Sequence, residues 1–340
     1  MKFTKEKKNE IIMYLMEKIS QNGNSNARAV AEAFQINEAT VHSYVKELTE
    51  NGLIIKKGRG KYELSEEKFS CTLLRSKNEL DSESDISDKY MSGFIIDLPD
   101  NVKDIWEYAF GEMMNNVIDH SLAEKVTIKI YRNYLSMRVC IIDNGVGIFN
   151  KIKDFFGYKS IDDAVSELFK GKLTTDKANH SGEGIFFTSR MMDLFVIYSG
   201  GSFFSHNRYD DNVIGAMEQG DTGGTSVMME LSNFSRKTAV NTFNEYSSVD
   251  GGFVKTSINL RNIFDGSPVS RSQAKRIANR LDAFKEVIID FEDIKWMGQG
   301  FAHQLFVVFA NNNPEIILTP VNMNDDVRKM LNHVTSSNIH

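Results

Sequence analysis

Three short segments, two of them punctuated by glycine and each set where a regular element begins or ends, constrain this 340-residue chain more than any bulk property. They are Glu112-Met-Met-Asn-Asn116 with Asp119-His120-Ser121 just beyond, Asp143-Asn-Gly-Val-Gly-Ile148, and Ser181-Gly-Glu-Gly-Ile185. A fourth piece, Thr222-Gly-Gly-Thr-Ser226, closes the set. Residues 102–122 repeat apolar side chains at helical spacing (Ile105, Tyr108, Ala109, Met113, Val117), which predicts a helix. Residues 135–142 alternate apolar and polar and predict a strand running into Asp143, and 227–231 also reads as a strand. Residues 185–193 predict a second helix, opened by Gly182 and Gly184.

The residue types then suggest a chemistry. Glu112 and Asn116 are four apart and share one helix face. A carboxylate there can take a proton from an attacking water, and an amide oxygen one turn away can ligate Mg²⁺. Asp143 at a strand end can accept a hydrogen bond from an exocyclic amine such as that of adenine. Gly145 and Gly147 let a flat base approach, and free N–H groups behind Gly182 and Gly184 favour phosphate. Gly223 and Gly224 precede Thr225, whose hydroxyl can share the network of Asp143. Singly, these features also fit an ordinary amphipathic helix and a common Asp-Asn-Gly turn. Together they are expected to hold ATP and Mg²⁺.

In this combination the segments resemble the N, G1 and G2 boxes and terminal Gly-Thr of the GHKL superfamily of gyrase, heat-shock chaperone, histidine kinase and mismatch-repair ATPases. The resemblance spans roughly residues 90 to 235 and implies a Bergerat-type α/β sandwich. It implies Glu112 as the water-activating base and Asn116 as the Mg²⁺ ligand. Asp143, Gly145, Gly147 and Thr225 would hold the adenine side, and Gly182 and Gly184 the phosphates. The ending Asn116-Val-Ile-Asp-His120 is most similar to the anti-sigma-factor serine kinases of that superfamily. His120 reads either as a phosphoacceptor or, preferably, as the end of the Asn-box helix. The resemblance places a mobile ATP lid over residues 149–180, where Lys172 or Lys177 either reaches phosphate or stays solvated.

The flanks differ from this centre. Residues 1–65 hold eleven lysines and arginines against eight acids, although the whole chain carries a net charge of −6. Helical stripes at 11–19, 27–34 and 37–48 are followed by a hairpin with a basic tip. This resembles a winged helix-turn-helix, with Gln35 in place of the usual small turn residue. The resemblance implies DNA as partner, with Asn37, Glu38, Thr40, His42, Ser43 and Lys46 towards the major groove. Lys56, Lys57, Arg59 and Lys61 of the wing would meet phosphates. Asn37 also fits a helix N-cap.

Residues 66–89 read as a polar acidic linker, with the ATP-binding domain then at 90–238. From 250 to 340 strands alternate with helices, which argues for an α/β layer. That order resembles the STAS domain of anti-sigma-factor antagonists. Gln299 stands about where those proteins carry a phosphorylatable serine, so regulation by phosphorylation there is in doubt. The fold class expected is therefore multidomain α+β: winged helix-turn-helix, GHKL sandwich, STAS-like domain.

Two cysteines, Cys71 and Cys140, lack metal-ligand spacing, and no apolar run is long enough to span a bilayer. A cytoplasmic protein without membrane contact is expected, in homodimeric form by family analogy and with an unidentified protein partner. The leading function is an ATP-binding regulator, with ATP hydrolysis by Glu112, that switches DNA or protein contacts. A serine/threonine protein kinase acting in trans and a conformational ATPase without a DNA role are the alternatives.

Overall fold

The computed structural model describes residues 4–173, 182–206, 223–248, 252–264 and 266–336; Ser181, Thr222, Lys177 and the lid stretch 174–180 lie outside them. The chain begins with helices α1 (Lys5–Asn22), α2 (Ala27–Phe34) and α3 (Glu38–Glu50) and a hairpin of β1 (Ile54–Gly58) and β2 (Lys61–Leu64). The stripe Ile11, Ile12, Leu15, Met16 and Ile19 of α1 is buried with Val30, Val41, Val45, Leu48 and Ile54 in one apolar cluster. Asn37 caps α3, its side-chain oxygen accepting from the Ala39 N–H at 2.9 Å. Gln35 adopts the left-handed conformation at φ 53°, the role usually given to glycine.

Residues 66–89 are not a linker. β3 (Glu67–Leu74) is the edge strand of the central sheet, paired with β4 (Lys125–Arg132) from Glu67 opposite Arg132 to Leu74 opposite Lys125. An edge strand needs one apolar face only; Phe69, Cys71 and Leu73 supply it between Lys68, Ser70 and Thr72. The acidic stretch is the start of helix α4 (Glu83–Tyr90). Ser82 accepts from the Asp85 N–H, Glu83 and Asp85 sit at the positive end of the helix, and Ile86 anchors it. Only Ser65 and Glu66 separate β2 from β3.

The central sheet is antiparallel throughout, in the order β3-β4-β5-β8-β6-β7, with β5 Ser136–Asp143, β6 Leu194–Ser199, β7 Ser202–Ser205 and β8 Thr225–Ser232. Its inward residues, among them Ile128, Val139, Phe195, Ile197 and Met229, share one core with helices on one face. After the short α5 (Ser92–Ile95), α6 (Asp100–Asn115) crosses that face and passes into a π-type turn, Asn116–His120. α7 (Ile148–Phe156) and α8 (Ile161–Leu168) follow β5, and α9 (Gly184–Met191) precedes β6. Helix α10 (Ala239–Tyr246) packs on α9 and α6, Phe243 stacking edge-on against Tyr108 and Phe187, so the central unit runs past 238.

The last unit is a parallel sheet ordered β11-β10-β9, from β9 (Lys255–Asn259), β10 (Glu286–Asp290) and β11 (Ile317–Val321). Crossovers run through α11 (Arg271–Ala278) and α12 (Gln299–His303), which continues in a π-type turn, and α13 (Asp325–Ser336) closes the chain. No described helix is long and apolar enough to cross a membrane.

Candidate functional site

Four distant segments meet in one cavity of about 270 Å³. Its wall includes Glu112 and Asn116 from the end of α6, Asp143 and Gly147 beyond β5, Gly182 and Gly184 before α9, and Thr225 at the start of β8. The geometry follows from where each element stops. The Asn116 N–H still bonds to the Glu112 carbonyl before the helix widens into the π-type turn, so both side chains keep to one wall. Gly184 lies directly against the Glu112 carboxylate; a Cβ there would overlap the Glu112 Oε2 atom. Only glycine lets the start of α9 approach so closely.

Asp143 is 3 % exposed at the end of β5. Its Oδ1 accepts the Gly145 N–H at 2.7 Å, and the Thr225 backbone N–H also bonds to the carboxylate. Burial pushes its pKa above the ordinary carboxylate value, against the lowering effect of these two amides. The Thr225 hydroxyl accepts from the Ile148 N–H at 3.0 Å. Thr225 therefore meets Asp143 through its backbone N–H, while its hydroxyl oxygen accepts from α7. Gly145 is not on the wall. It lies behind the carboxylate, packed against the Ser121 carbonyl.

The sequence reading missed Lys151. It stands on α7 with Ile148 and Ile152, all three lining the cavity, and its ammonium donates to the His120 carbonyl at 2.8 Å. The i, i+3, i+4 spacing after Gly147 was the available signal. Lys172 neither lines the cavity nor stays solvated: it donates to the Ala283 carbonyl at 2.9 Å and lies over the rings of Phe253 and Phe284. Both thiols have pKa values raised by burial, Cys140 to about 11, which makes them poor nucleophiles.

At the other end of the chain, His42, Ser43 and Lys46 are exposed along α3 and Thr40 is half-buried. Asn37 spends its oxygen on the cap, so that atom is withdrawn from any base contact. In the hairpin Lys56, Lys57, Arg59 and Lys61 are all exposed, and Lys57 pairs with Glu63 at 2.9 Å. The core of this unit takes in Tyr134 and Leu135, from the β4–β5 turn, at the opposite end of β5 from Asp143.

Residues 12–55 match the winged helix-turn-helix DNA-binding family. Residues 273–328 match a STAS-like domain of unknown function. No curated protein matches the chain. Residues 12–55 thus carry a winged helix-turn-helix, a type that suggests DNA binding, and residues 273–328 a STAS-like domain, a type that suggests regulatory protein contacts.

Proposed function

We propose that the central unit is a GHKL-type domain whose cavity binds ATP with Mg²⁺, and that nucleotide state switches the DNA contacts of the winged helix-turn-helix and the protein contacts of the STAS-like domain. The observation that carries this reading is convergence. Seven residues singled out for nucleotide chemistry, from four segments between residues 112 and 225, line one cavity. The donor set fits the group. Asp143 offers a desolvated acceptor for an amine in a wall that also contains Val146, Ile148 and Val227, suited to a flat base. Asn116 would hold Mg²⁺, whose chemistry is to offset phosphate charge; one amide suffices beside phosphate and water oxygens. Glu112 faces the glycine-bounded start of α9 and would orient and deprotonate a water there. Lys151 adds positive charge on the same wall.

One strand runs between the winged unit at the head of the chain and this cavity. Strand β5 spans about 24 Å between the Tyr134 turn, packed into the head, and Asp143. Thr40, His42, Ser43 and Lys46 would read the groove, and the wing cations would meet phosphates. A homodimer would present two such heads.

The test follows γ-labelled ATP with Mg²⁺ in wild type and Glu112→Ala. Free phosphate in wild type, reduced by 100-fold or more in the variant, supports an ATPase switch. Label retained on protein moves the trans-acting kinase to the front, and absence of ATP binding removes the proposal.

A further inference from the structure

Four residues following α8, Lys170-Gly171-Lys172-Leu173, face two ways. Gly171 and Leu173 line the cavity, while Lys170 and Lys172 reach into the STAS-like domain. The Lys170 ammonium is 1 % exposed and donates to Glu167 Oε1 at 2.6 Å, to the Arg276 carbonyl at 2.9 Å and to the Asn279 carbonyl at 2.7 Å. All three of its donors are used. The two carbonyls lie at the C-terminal end of α11, where helix carbonyls lack intrahelical partners and attract a cation. From the other side, Thr256 of β9 donates to the Lys170 carbonyl at 2.7 Å and Arg280 donates to the Lys172 carbonyl at 2.7 Å. The rings of Phe253 and Phe186 close on Gly171, and Phe186 itself lines the cavity.

This strap cannot shift on its cavity side without disturbing bonds on its STAS-like side. We propose that it couples occupancy of the cavity to the seating of the STAS-like domain, so that nucleotide regulates how that domain is offered to a protein partner. The inference rests on the nucleotide reading and adds to it a specific route. Linkage makes the coupling reciprocal: whatever loosens the domain at Arg280 must also change affinity in the cavity, although Arg280 is not on its wall.

The experiment uses the full chain, ATP and amide hydrogen exchange, with ATP affinity measured in parallel. In wild type, saturating ATP is expected to slow exchange over 276–283 by about five-fold or more. In Arg280→Ala that response is lost and the ATP Kd rises by about five-fold or more. Lys170→Met should do the same more strongly; should it fail to fold, Arg280→Ala carries the test. ATP binding with unchanged exchange over 276–283 and an unchanged Kd in Arg280→Ala overturns the coupling and leaves the nucleotide reading standing. No ATP binding by wild type overturns both.

Discussion

The wing and the strap are written in nearly the same alphabet. Lys56-Lys57-Gly58-Arg59-Gly60-Lys61 and Lys170-Gly171-Lys172 are both short basic runs broken by glycine. In the wing every cation is exposed, whereas in the strap Lys170 is buried and Lys172 half-buried against carbonyls and rings. Gly60 and Gly171 share the left-handed region, at φ 71° and 82°. A Cβ at Gly60 would meet nothing within 4 Å; at Gly171 it would meet Phe186 at 2.8 Å and Phe253 at 2.9 Å. The difference is not local. A hairpin tip has no second layer over it, while the strap lies between two units, one of which turns helix-end carbonyls towards its lysines.

The largest expected contrast is between the two lysines. Lys170→Ala leaves Glu167, 2 % exposed, without its closest partner. Removing one member of a buried pair typically costs about 3–5 kcal/mol. The lower end is expected because Asn279 still donates to Glu167 at 3.0 Å and Arg280 lies 3.6 Å away. Lys56→Ala should stay within about 0.5 kcal/mol. Urea unfolding of the two variants measures both, and equal losses would break the comparison.

The glycines give a smaller version. Gly60→Ala meets backbone strain alone, about 1–2 kcal/mol. Gly171→Ala adds the displacement of two rings, for a total of about 2–4 kcal/mol. Thermal unfolding should therefore rank Gly171→Ala below Gly60→Ala; the reverse order would mean that the Phe186–Phe253 contact yields easily.

What the sequence revealed follows from the same contrast. The seven residues that meet in one cavity were picked out because the nucleotide chemistry expected of them asks for particular residue types at particular offsets: a carboxylate and amide one turn apart, glycines where backbones approach. The helical and strand periods at both termini were legible because each buries a stripe, as α1 does with Ile12, Leu15 and Ile19. β3 was missed because its sheet-edge position asks for only three inward side chains, and α4 because an acid-rich helix start looks like a spacer. Lys151 and Lys170 were not singled out and Lys172 was read towards phosphate or solvent instead of the Ala283 carbonyl, since a lysine carries no mark of its tertiary partner. Gln35 was read as a departure from the usual turn residue; its backbone nevertheless takes the expected left-handed form.

That position supplies the next smaller test. Gln35→Gly keeps the turn and removes the left-handed strain, so the winged unit should gain about 1 kcal/mol. A loss would mean that the Gln35 side chain contributes more than its backbone costs.

The smallest effect on stability, and the sharpest reading of the wing, comes from Arg59 against Lys57. Both are exposed, yet Lys57 is already engaged by Glu63 at 2.9 Å. An exposed pair of this kind contributes at most about 1 kcal/mol, so each alanine variant should fold as well as wild type. Their DNA affinities should separate. Each phosphate contact releases about 0.9 counterion, so Arg59→Ala is expected to reduce the slope of log K against log salt by about one. Lys57→Ala should reduce it by less, because binding DNA there first breaks the Glu63 pair. Salt titrations of DNA binding by the full chain decide it. Equal slopes for both variants and wild type would show that the wing cations stay in solvent even on DNA, and would leave recognition to α3, whose charged residues are Lys46 and the acids Glu38, Glu47 and Glu50.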